Sequence, residues 1–503
     1  MLLLKNADIY TGCDTDTYCN KHTMCKKNEW IRNTDILIDG GRIADIAEHI
    51  PEAGKEVMDC SGKLVIPGLI NAHLHSDENF FKGMFDNLPL ELWMLYSCPP
   101  LAYGPFSEEL IYWRTMLGAL EMIKCGVTCV QDDVSECPQG TFAGYDAVFR
   151  AYADIGMKAN IGLNMGNKKY CDKIPYAREV FPQKLQKLLD AGEGEEQTAE
   201  QNLALYKEII KKWHQKAGMK VVMSTSAPQR CSDAYLMQAR RFSEEYDLPM
   251  HTHILESRIQ ACTGREFYGE SIVKHAARIG FLSKRLSVIH GVWMDEEDMQ
   301  LLASAGATLI SNPVSNLKLG SGIAPLMRMQ KAGIHIVLGT DGMSSNDGQN
   351  LFEAMKYAAL LQKTVQPDYA EWPDSGQILQ MVFSHAAKSL GREKEIGTIE
   401  IGKAADVAVL NKNNTPFIPE NQIGNHLVYC ENGESVEAVF INGNKVYGDG
   451  RILTVNEKEI LAKINSCYGD FRESYEKTKK ENSRLEPYVK VIYEKCRKEM
   501  DAM

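Results

Sequence analysis

Several features that would place a chain in a common functional class are missing from this sequence. No apolar run approaches the ~20 residues that a transmembrane helix needs. The start, MLLLKNADIYTG, has no basic region before its apolar stretch and no small-residue cleavage site, so no signal peptide is expected. The formal net charge of −11 leaves no excess of Lys and Arg to bind phosphate backbones. These absences argue against membrane, secreted and nucleic-acid-binding proteins.

The 14 cysteines include no C-x-x-C pair, and in a chain of 503 residues they do not suggest a disulfide framework. Cys13, Cys19 and Cys25 lie in a polar segment, residues 13–34, that looks like an insertion. A zinc knuckle there is one interpretation, although the spacings differ from those of the usual ligand pairs. Free thiols in a reducing cytoplasm are the favoured interpretation, and we therefore expect a cytoplasmic protein.

Strand-like segments flank a long middle region. Residues 1–65 contain LLLKNADIY, DILIDGGRIADIA and EVMDCSGKLVI, with a hairpin turn at Gly40-Gly41. Residues 393–455 contain GKAADVAVLN and VEAVFINGNKVYGDG. We expect these two flanks to pair with each other into one small β-sandwich domain.

The middle region, residues 66–392, alternates helix-like and strand-like segments, with about eight short apolar strands. This pattern predicts an α/β fold of the (β/α)8 TIM-barrel type rather than an open doubly wound sheet. No G-x-G-x-x-G or G-x-x-x-x-G-K-[ST] motif follows the first strand, so no nucleotide cofactor is indicated. Residues 456–503, rich in Lys and Glu, predict a helical extension that packs outside the barrel or against a partner.

Polar residues occur where the apolar strands end, which in such a barrel is the catalytic face. They are His73 and His75 after the first strand, His253 and Glu256 after the fifth, His290 at the end of the sixth and Asp341 after the eighth. A single histidine at a strand end is usually structural, and an Asp before Gly usually marks a turn. The joint occurrence of all of them at one rim favours a metal site.

The chemistry of this group suits a catalytic metal ion. His73 and His75 are two residues apart, so on a strand their side chains face the same space. Together with His253 and Asp341 they supply three imidazoles and one carboxylate, a set that suits zinc or ferrous iron. A metal with an open position for water lowers the pKa of that water from ~15.7 toward ~7, so that hydroxide is available at neutral pH.

Motifs along most of the chain resemble those of the amidohydrolase superfamily, in the branch of S-adenosylhomocysteine/methylthioadenosine deaminases and triazine chlorohydrolases. They are PGLINAHLH, HTHILES, VIHG, SNPVSNLKLGSGIAPLMRM, LGTDGMSSNDGQNLFEAMK, IGTIEIGKAADVAVL and NHLVY, within residues 34–455. The resemblance implies one metal ion held by His73, His75, His253 and Asp341, zinc or alternatively Fe(II). It also implies that Glu256 shuttles a proton, while His290 polarises the substrate and orients the attacking hydroxide.

The end of the fourth strand carries no metal-bridging residue. Binuclear relatives place a carboxylated lysine or a glutamate there, whereas this chain has Ser224, Thr225 and Ser226. We therefore predict one metal ion per chain, which makes amide-ring hydrolases of the dihydropyrimidinase type a poorer match.

The substrate pocket departs from that of the adenosyl-compound deaminases. Those relatives carry an acidic residue for the ribose hydroxyls after the tryptophan of the first long loop. Here Trp93 is present, but the comparable stretch around Ala102 has no acid. Those relatives also place a histidine after the fourth strand, where this chain has Gln229. These differences argue against assigning to this chain the nucleoside substrates of those relatives.

Five residues are candidates for substrate contacts. Trp93 and Phe81 could stack on a planar ring, although packing is the alternative for both. Gln229, Asn316 and Ser344 could hydrogen-bond a substrate, and loop scaffolding is the alternative for these three.

The resulting functional hypothesis is a metal-dependent hydrolase that deaminates a purine-, pyrimidine- or triazine-type ring. Hydrolytic removal of chloride or an alkylamine from a similar ring is the alternative, because the same acid–base residues would serve it. A catalytically inactive structural relative is a third interpretation, opposed by the presence of every predicted ligand. The partners expected are a small heterocyclic substrate and further copies of the chain in a homodimer or tetramer, with no nucleic acid and no membrane.

Overall fold

The structure is a computed structural model that describes residues 1–13, 17–18, 24–25, 28, 30–136, 140–192 and 198–501. Its strands are β1 (Leu2–Tyr10), β2 (Thr17–Tyr18), β3 (Met24–Cys25), β4 (Trp30–Asp39), β5 (Arg42–Ala47), β6 (Glu56–Asp59), β7 (Lys63–Pro67), β8 (Leu69–Leu74), β9 (Val127–Val134), β10 (Lys158–Leu163), β11 (Met219–Ser224), β12 (Met250–Ile254), β13 (Leu286–His290), β14 (Thr308–Ser311), β15 (His335–Leu338), β16 (Val407–Asn411), β17 (Val436–Ile441), β18 (Asn444–Gly448) and β19 (Arg451–Ile452).

The α-helices are α1 (Leu90–Ser97), α2 (Glu108–Lys124), α3 (Phe142–Ile155), α4 (Tyr170–Lys173), α5 (Ala177–Val180), α6 (Gln183–Gly192), α7 (Ala199–Trp213), α8 (Asp233–Glu245), α9 (Arg258–Tyr268), α10 (Ile272–Arg278), α11 (Glu296–Ala305), α12 (Pro313–Lys318), α13 (Leu326–Lys331), α14 (Leu351–Val365), α15 (Ser375–Gln380), α16 (Ser384–Ser389), α17 (Ile423–Asn425), α18 (Glu457–Ser483) and α19 (Glu486–Asp501). A 3-10 helix, Ser76–Phe81, follows β8 directly and bears on the site described below.

Strands β8 to β15 form an eight-stranded parallel sheet in sequential order, which curls into a nearly closed barrel. At the rim, the backbone amides of Thr340 and Asp341 both donate to the carbonyl of His73, at 3.1 and 3.0 Å, and so join the last strand to the first. Every residue of β8, β9 and β10 is buried, as expected of parallel strands covered on both faces. The predicted barrel is confirmed.

The two flanking segments build one mixed sheet of nine strands, in the order β19-β18-β17-β16-β7-β1-β4-β5, with β6 paired to β1. The N- and C-terminal parts meet where β7 runs antiparallel to β16, with Lys63 opposite Asn411 and Pro67 opposite Val407. The predicted pairing of the two flanks is therefore confirmed. The domain boundaries at residues 65, 392 and 455 stay predictions.

A buried ion pair connects the barrel to the flanking sheet. Lys158 begins β10, and its ammonium group lies 2.7 Å from both carboxylate oxygens of Asp406, which directly precedes β16. The backbone amide of Asn442 also donates to Asp406, at 2.8 Å. Because each charge is buried and its hydrogen bonds are satisfied, this pair fixes the position of one sheet relative to the other.

Helices α18 and α19 cover the outside of the barrel near its catalytic rim. Helix α18 packs on α2 and α1, whereas α19 packs on α9, α1 and α5. Tyr475 of α18 is 2% exposed and donates its hydroxyl to the backbone carbonyl of Tyr96 in α1. The described residues contain no helix that is both long and apolar enough to cross a membrane.

Candidate active site

The polar residues that the sequence places at strand ends converge at one rim of the barrel. Their ligand atoms form two adjacent groups, each with all atoms within 4.8 Å of one another: His73, His75 and His253 in one, Glu256, His290 and Asp341 in the other. The convergence follows from the parallel sheet, whose strand ends all meet at the same rim.

Two of the imidazoles are oriented by backbone carbonyls. The Nδ1–H of His75 donates to the carbonyl of Asp133 at 2.6 Å, and that of His253 donates to the carbonyl of Ser226 at 2.7 Å. A carbonyl can only accept, so each neutral ring has its lone pair on Nε2. These two Nε2 atoms lie 3.2 Å apart. Such a pair requires a positive charge, either a proton or a metal ion, to bring the lone pairs together.

The third imidazole has polar atoms that lack partners. His73 is completely buried, and neither of its ring nitrogens has a hydrogen-bond partner among the described residues. Its Nε2 lies 3.5 Å from Asp341 Oδ1, and the same oxygen lies 3.4 Å from His75 Nε2. A buried unsatisfied nitrogen costs ~1–3 kcal/mol, which a metal ligand bond would offset. The donors present therefore fit a divalent metal ion.

The charge around the imidazoles also favours a cation. Burial lowers the pKa of His73 to about 4. Burial acts in the same direction on His75, but nearby carboxylates outweigh it and raise the pKa of that ring to about 10. These carboxylates include Glu78, Asp341 and Asp133. The negative potential that draws a proton to His75 would equally attract a metal ion.

Asp341 is positioned by strong local constraints. Its backbone lies in the left-handed region at φ 67°, which few residues other than glycine adopt. The hydroxyl of Ser315 donates to Oδ2 at 2.6 Å, so Oδ1 is left to face His73 and His75. Burial alone would raise the pKa of Asp341, but His73, His290 and His75 hold it well below its usual range. The carboxyl is therefore ionised and available as a ligand or base.

Glu256 and His290 face each other beside this group. His290 Nε2 lies 3.4 Å from Glu256 Oε2, and its Nδ1–H donates to Asn316 Oδ1 at 2.9 Å. Burial lowers the pKa of His290, which keeps the ring neutral. Burial, with the charges of Asp341 and Glu91, raises the pKa of Glu256 well above its usual value. Glu256 is thus prepared to hold a proton, and His290 is prepared to accept one.

A cavity of about 210 Å³ opens onto these residues. Trp93 and Gln229 line it, and the Trp93 indole N–H donates to the carbonyl of Ser344 at 3.2 Å. Ser344 and Asn316 are not among the lining residues, since the Ser344 hydroxyl donates to Glu78 and Asn316 holds His290.

Phe81, considered from the sequence as a stacking residue, also lies away from the cavity lining. It is 1% exposed and packs against Phe85 and, in α18, Phe471 and Tyr475. Its ring contributes to the core that fixes the C-terminal extension on the barrel.

Sequence reasoning missed several polar residues of the site. Asp133 at the end of β9 accepts hydrogen bonds from Ser224 Oγ and Asn164 Nδ2, both at 2.7 Å. Gln260 in α9 accepts from the Glu256 amide at 2.7 Å and donates to the His253 carbonyl at 3.0 Å. The acidic pair in VTCVQDD was a signal for Asp133, because it also ends a barrel strand. No comparable signal marked Gln260.

The apolar wall of the cavity comes from helices outside the barrel strands. Leu90 and Met94 of α1, Ile259 of α9, and Val489 and Ile492 of α19 line it. The C-terminal extension therefore contributes directly to the shape of the site. The possible zinc knuckle of Cys13, Cys19 and Cys25 falls largely outside the described residues.

The chain matches the Amidohydrolase family over residues 64–446. It is 33% identical to the 5-methylthioadenosine/S-adenosylhomocysteine deaminase of Desulforudis audaxviator, over 85% of this chain and 92% of that protein. It is 30% identical to the 5'-deoxyadenosine deaminase of Methanothermobacter thermautotrophicus, over 86% of this chain and 93% of that protein.

Solved structures show the same fold. A zinc-bound adenosine deaminase from Xanthomonas campestris aligns with a TM-score of 0.79 at 23% identity, over 94% of this chain and 98% of that one. An atrazine chlorohydrolase from Arthrobacter aurescens in complex with zinc aligns with a TM-score of 0.81 at 22% identity, over 93% and 100%. The fold, the arrangement of the strand-end residues and these similarities together establish that this chain belongs to the amidohydrolase family.

Proposed function

We propose that the protein is a metal-dependent aminohydrolase that releases ammonia from an amino-substituted N-heterocycle. The observation that carries this proposal is the convergence of six side chains at one cavity. Three are the imidazoles of His73, His75 and His253, and three are the acid–base groups of Glu256, His290 and Asp341. Relatives at 30–33% identity over most of their length carry deaminase names. The reaction adds water across a ring C=N bond and then breaks the exocyclic C–N bond, yielding a ring carbonyl and ammonia.

One metal ion would be held by His73, His75, His253 and Asp341. When bound, it would act as a Lewis acid that lowers the pKa of water from ~15.7 toward ~7. Zinc is the proposed ion, since the imidazole-rich set suits it and two structural neighbours contain it; Fe(II) is the alternative. A single ion per chain is proposed because the end of β11 offers only hydroxyl side chains, from Ser224 to Ser226.

The chain's own acid–base groups divide the proton transfers. Asp341, held ionised, accepts the proton of the attacking water. Glu256, whose pKa is raised by burial, delivers a proton to the ring nitrogen beside the carbon under attack. Such general acid–base help is typically worth ~10²–10⁴-fold in rate. The exocyclic C–N bond then breaks, and the amino nitrogen leaves as ammonia with the proton that Asp341 took from the water. The hydroxyl proton of the tetrahedral intermediate returns to Glu256, which restores both groups.

His290 orients the attacking water. The Nδ1–H of His290 donates to Asn316, so Nε2 carries the lone pair and can accept a hydrogen bond beside Glu256. An acceptor at this position aligns one O–H of the water and directs the oxygen lone pair at the ring carbon.

The substrate class is a purine-, pyrimidine- or triazine-type ring. Purine derivatives have support from the names of the relatives. The cavity nevertheless has Gln229 where the resembling deaminases place a histidine, and the stretch around Ala102, comparable to the one where they carry an acid, has none. Trp93 lines the cavity and offers an aromatic surface to a planar ring.

Ammonia release by the zinc-loaded protein tests this proposal. The panel holds adenine-, guanine-, cytosine- and triazine-type compounds with their nucleosides, and chloride and alkylamine release are measured in parallel. Asp341→Asn should abolish turnover. Asp449→Asn is a matched control, because Asp449 also has a left-handed backbone, at φ 52°, but lies exposed in the turn between β18 and β19 of the flanking sheet. Chloride or alkylamine without ammonia would replace deamination by the alternative reaction, and no product from any compound would contradict both.

A homodimer or tetramer and a cytoplasmic location are also proposed. The family resemblance supports the first, and 14 cysteines without a C-x-x-C pair or a disulfide framework support the second. Sedimentation of the zinc-loaded protein would measure the oligomeric state, and a monomer would contradict it.

A further inference from the structure

Glu78 is a buried carboxyl group in the cavity for which the proposed reaction has no role. It belongs to the 3-10 helix Ser76–Phe81, three residues after His75, and is 3% exposed. Its side chain lines the same cavity as Glu256 and Trp93. A buried carboxyl is costly unless it is hydrogen-bonded, so its position at a ligand cavity calls for a polar partner.

The protein supplies only part of the hydrogen bonding that this carboxyl can accept. Among the described residues, Ser344 alone donates to the Glu78 side chain, through its hydroxyl to Oε2. Burial raises the pKa of Glu78 to about 8, against the lowering effect of His75, so a donor in the cavity would favour its ionised form. A carboxylate can accept about four hydrogen bonds, and Oε1 remains available to such a donor. Gly342 leaves the space that the carboxyl occupies, since a β-carbon there would overlap it.

The partner of Glu78 is itself held in place. The carbonyl of Ser344 accepts the Trp93 indole N–H at 3.2 Å and the Lys318 ammonium at 3.4 Å. Lys318 is further anchored by an ion pair with Asp347. Ser344 is completely buried, so its hydroxyl has one fixed direction from which to orient Glu78. The acceptor is therefore preorganised rather than mobile.

We propose that Glu78 determines specificity by accepting a hydrogen bond from a second N–H of the substrate, beside the amino group that is removed. The inference rests on the proposed function, because it takes the ligand to be an amino-substituted heterocycle. It narrows the substrate class to rings with a second donor, such as diamino-substituted purines or triazines. A ring without that donor leaves a buried acceptor unpaired, and sites of this kind discriminate strongly against it.

Binding of a matched ligand pair tests the proposal without turnover. The probes are 2,6-diaminopurine and adenine, each with its nucleoside, titrated calorimetrically into zinc-loaded Glu256→Gln protein. We expect the diamino compounds to bind ~10–100-fold more tightly, the range of a charge-assisted hydrogen bond. Adding Glu78→Met should remove that preference, whereas Glu78→Gln, which retains an acceptor, should keep part of it. Asp449→Asn should leave the ratio unchanged.

Two readouts separate this inference from the proposed function. Ammonia release by the wild-type protein concerns the reaction, while the ratio of dissociation constants concerns Glu78. Equal binding of the two ligands, a preference that survives Glu78→Met, equal weakening of both ligands by that change, or failure of the diamino compounds to bind would overturn the inference. Zinc content and melting temperature identify a variant that misfolds, and Ser344→Ala then provides the second test, because it should reduce the preference while Glu78 is intact.

Discussion

The two ends of the cavity are built in different ways. The proposed metal-binding end, called the metal-binding end below, consists of polar residues that end barrel strands, where backbone hydrogen bonds between neighbouring strands set their positions. The apolar wall consists of side chains from α1, α9 and α19, which are held by side-chain packing, by side-chain hydrogen bonds such as that from Tyr96 to Glu486, and by surface ion pairs. One of these pairs joins Arg258 of α9 to Asp501 of α19 at 2.7 Å.

This difference suggests a division of roles. At the metal-binding end a displacement of an ångström breaks a ligand set, so changes there should abolish chemistry. At the wall a side chain can change size while the helix keeps its place, so changes there should alter which substrates bind. The following experiments test that division, beginning with the largest expected effect.

Removal of a buried ligand should abolish activity. In His73→Asn one imidazole of the metal set is lost, and we expect zinc content to fall and kcat/KM to drop by at least ~10³-fold, since the Lewis acid is lost with the ion. Metal analysis and steady-state kinetics measure both quantities. Full activity with unchanged zinc would remove His73 from the ligand set.

Loss of the proton shuttle should spare the metal. Glu256→Gln keeps the shape of the side chain but cannot transfer a proton, so kcat should fall by ~10²–10⁴-fold while zinc content stays at the wild-type level. Zinc lost together with activity would instead assign Glu256 to metal binding.

Gln260 lies between the metal-binding end and the apolar wall, and its replacement should have an intermediate effect on kcat/KM. It accepts from the Glu256 amide, donates to the His253 carbonyl and approaches Gln229 Oε1 at 3.3 Å. In Gln260→Ala these hydrogen bonds are lost, and we expect kcat/KM to fall ~10–100-fold, as for residues that orient metal ligands. An effect confined to KM would indicate that Gln260, like the residues of the apolar wall, acts on substrate binding and not on the chemical step.

A change in the wall should have the smallest effect on chemistry. Ile492→Ala enlarges the cavity, so KM should rise by about 5–10-fold while kcat changes little, because ~1 kcal/mol is the lower end of the range for a methylene-scale change in an apolar pocket. Tests with substrates bearing larger apolar substituents should show a smaller loss or a gain. A collapse of kcat comparable to that of Glu256→Gln would break the distinction between the two ends.

The residues that could be found from the sequence are those whose position follows from a strand end. His73, His75, His253, His290 and Asp341 come at or directly after apolar segments, and the parallel barrel brings such positions to one rim. Asn316 and Ser344 were also singled out, but the structure places them behind His290 and Glu78 rather than on the cavity lining. Sequence spacing identifies such loops but not the direction of their side chains.

The sequence by itself determined the barrel, the flanking sheet and the convergence of six polar residues, because periodicity and strand order are local properties of the chain. Only the tertiary structure decided that Glu78 enters the cavity, that Gln260 supports Glu256, and that Val489 and Ile492 close the wall. The last two residues lie more than 140 positions after Asp341. Their contact with the site depends on how α19 packs against α9, which no local pattern encodes.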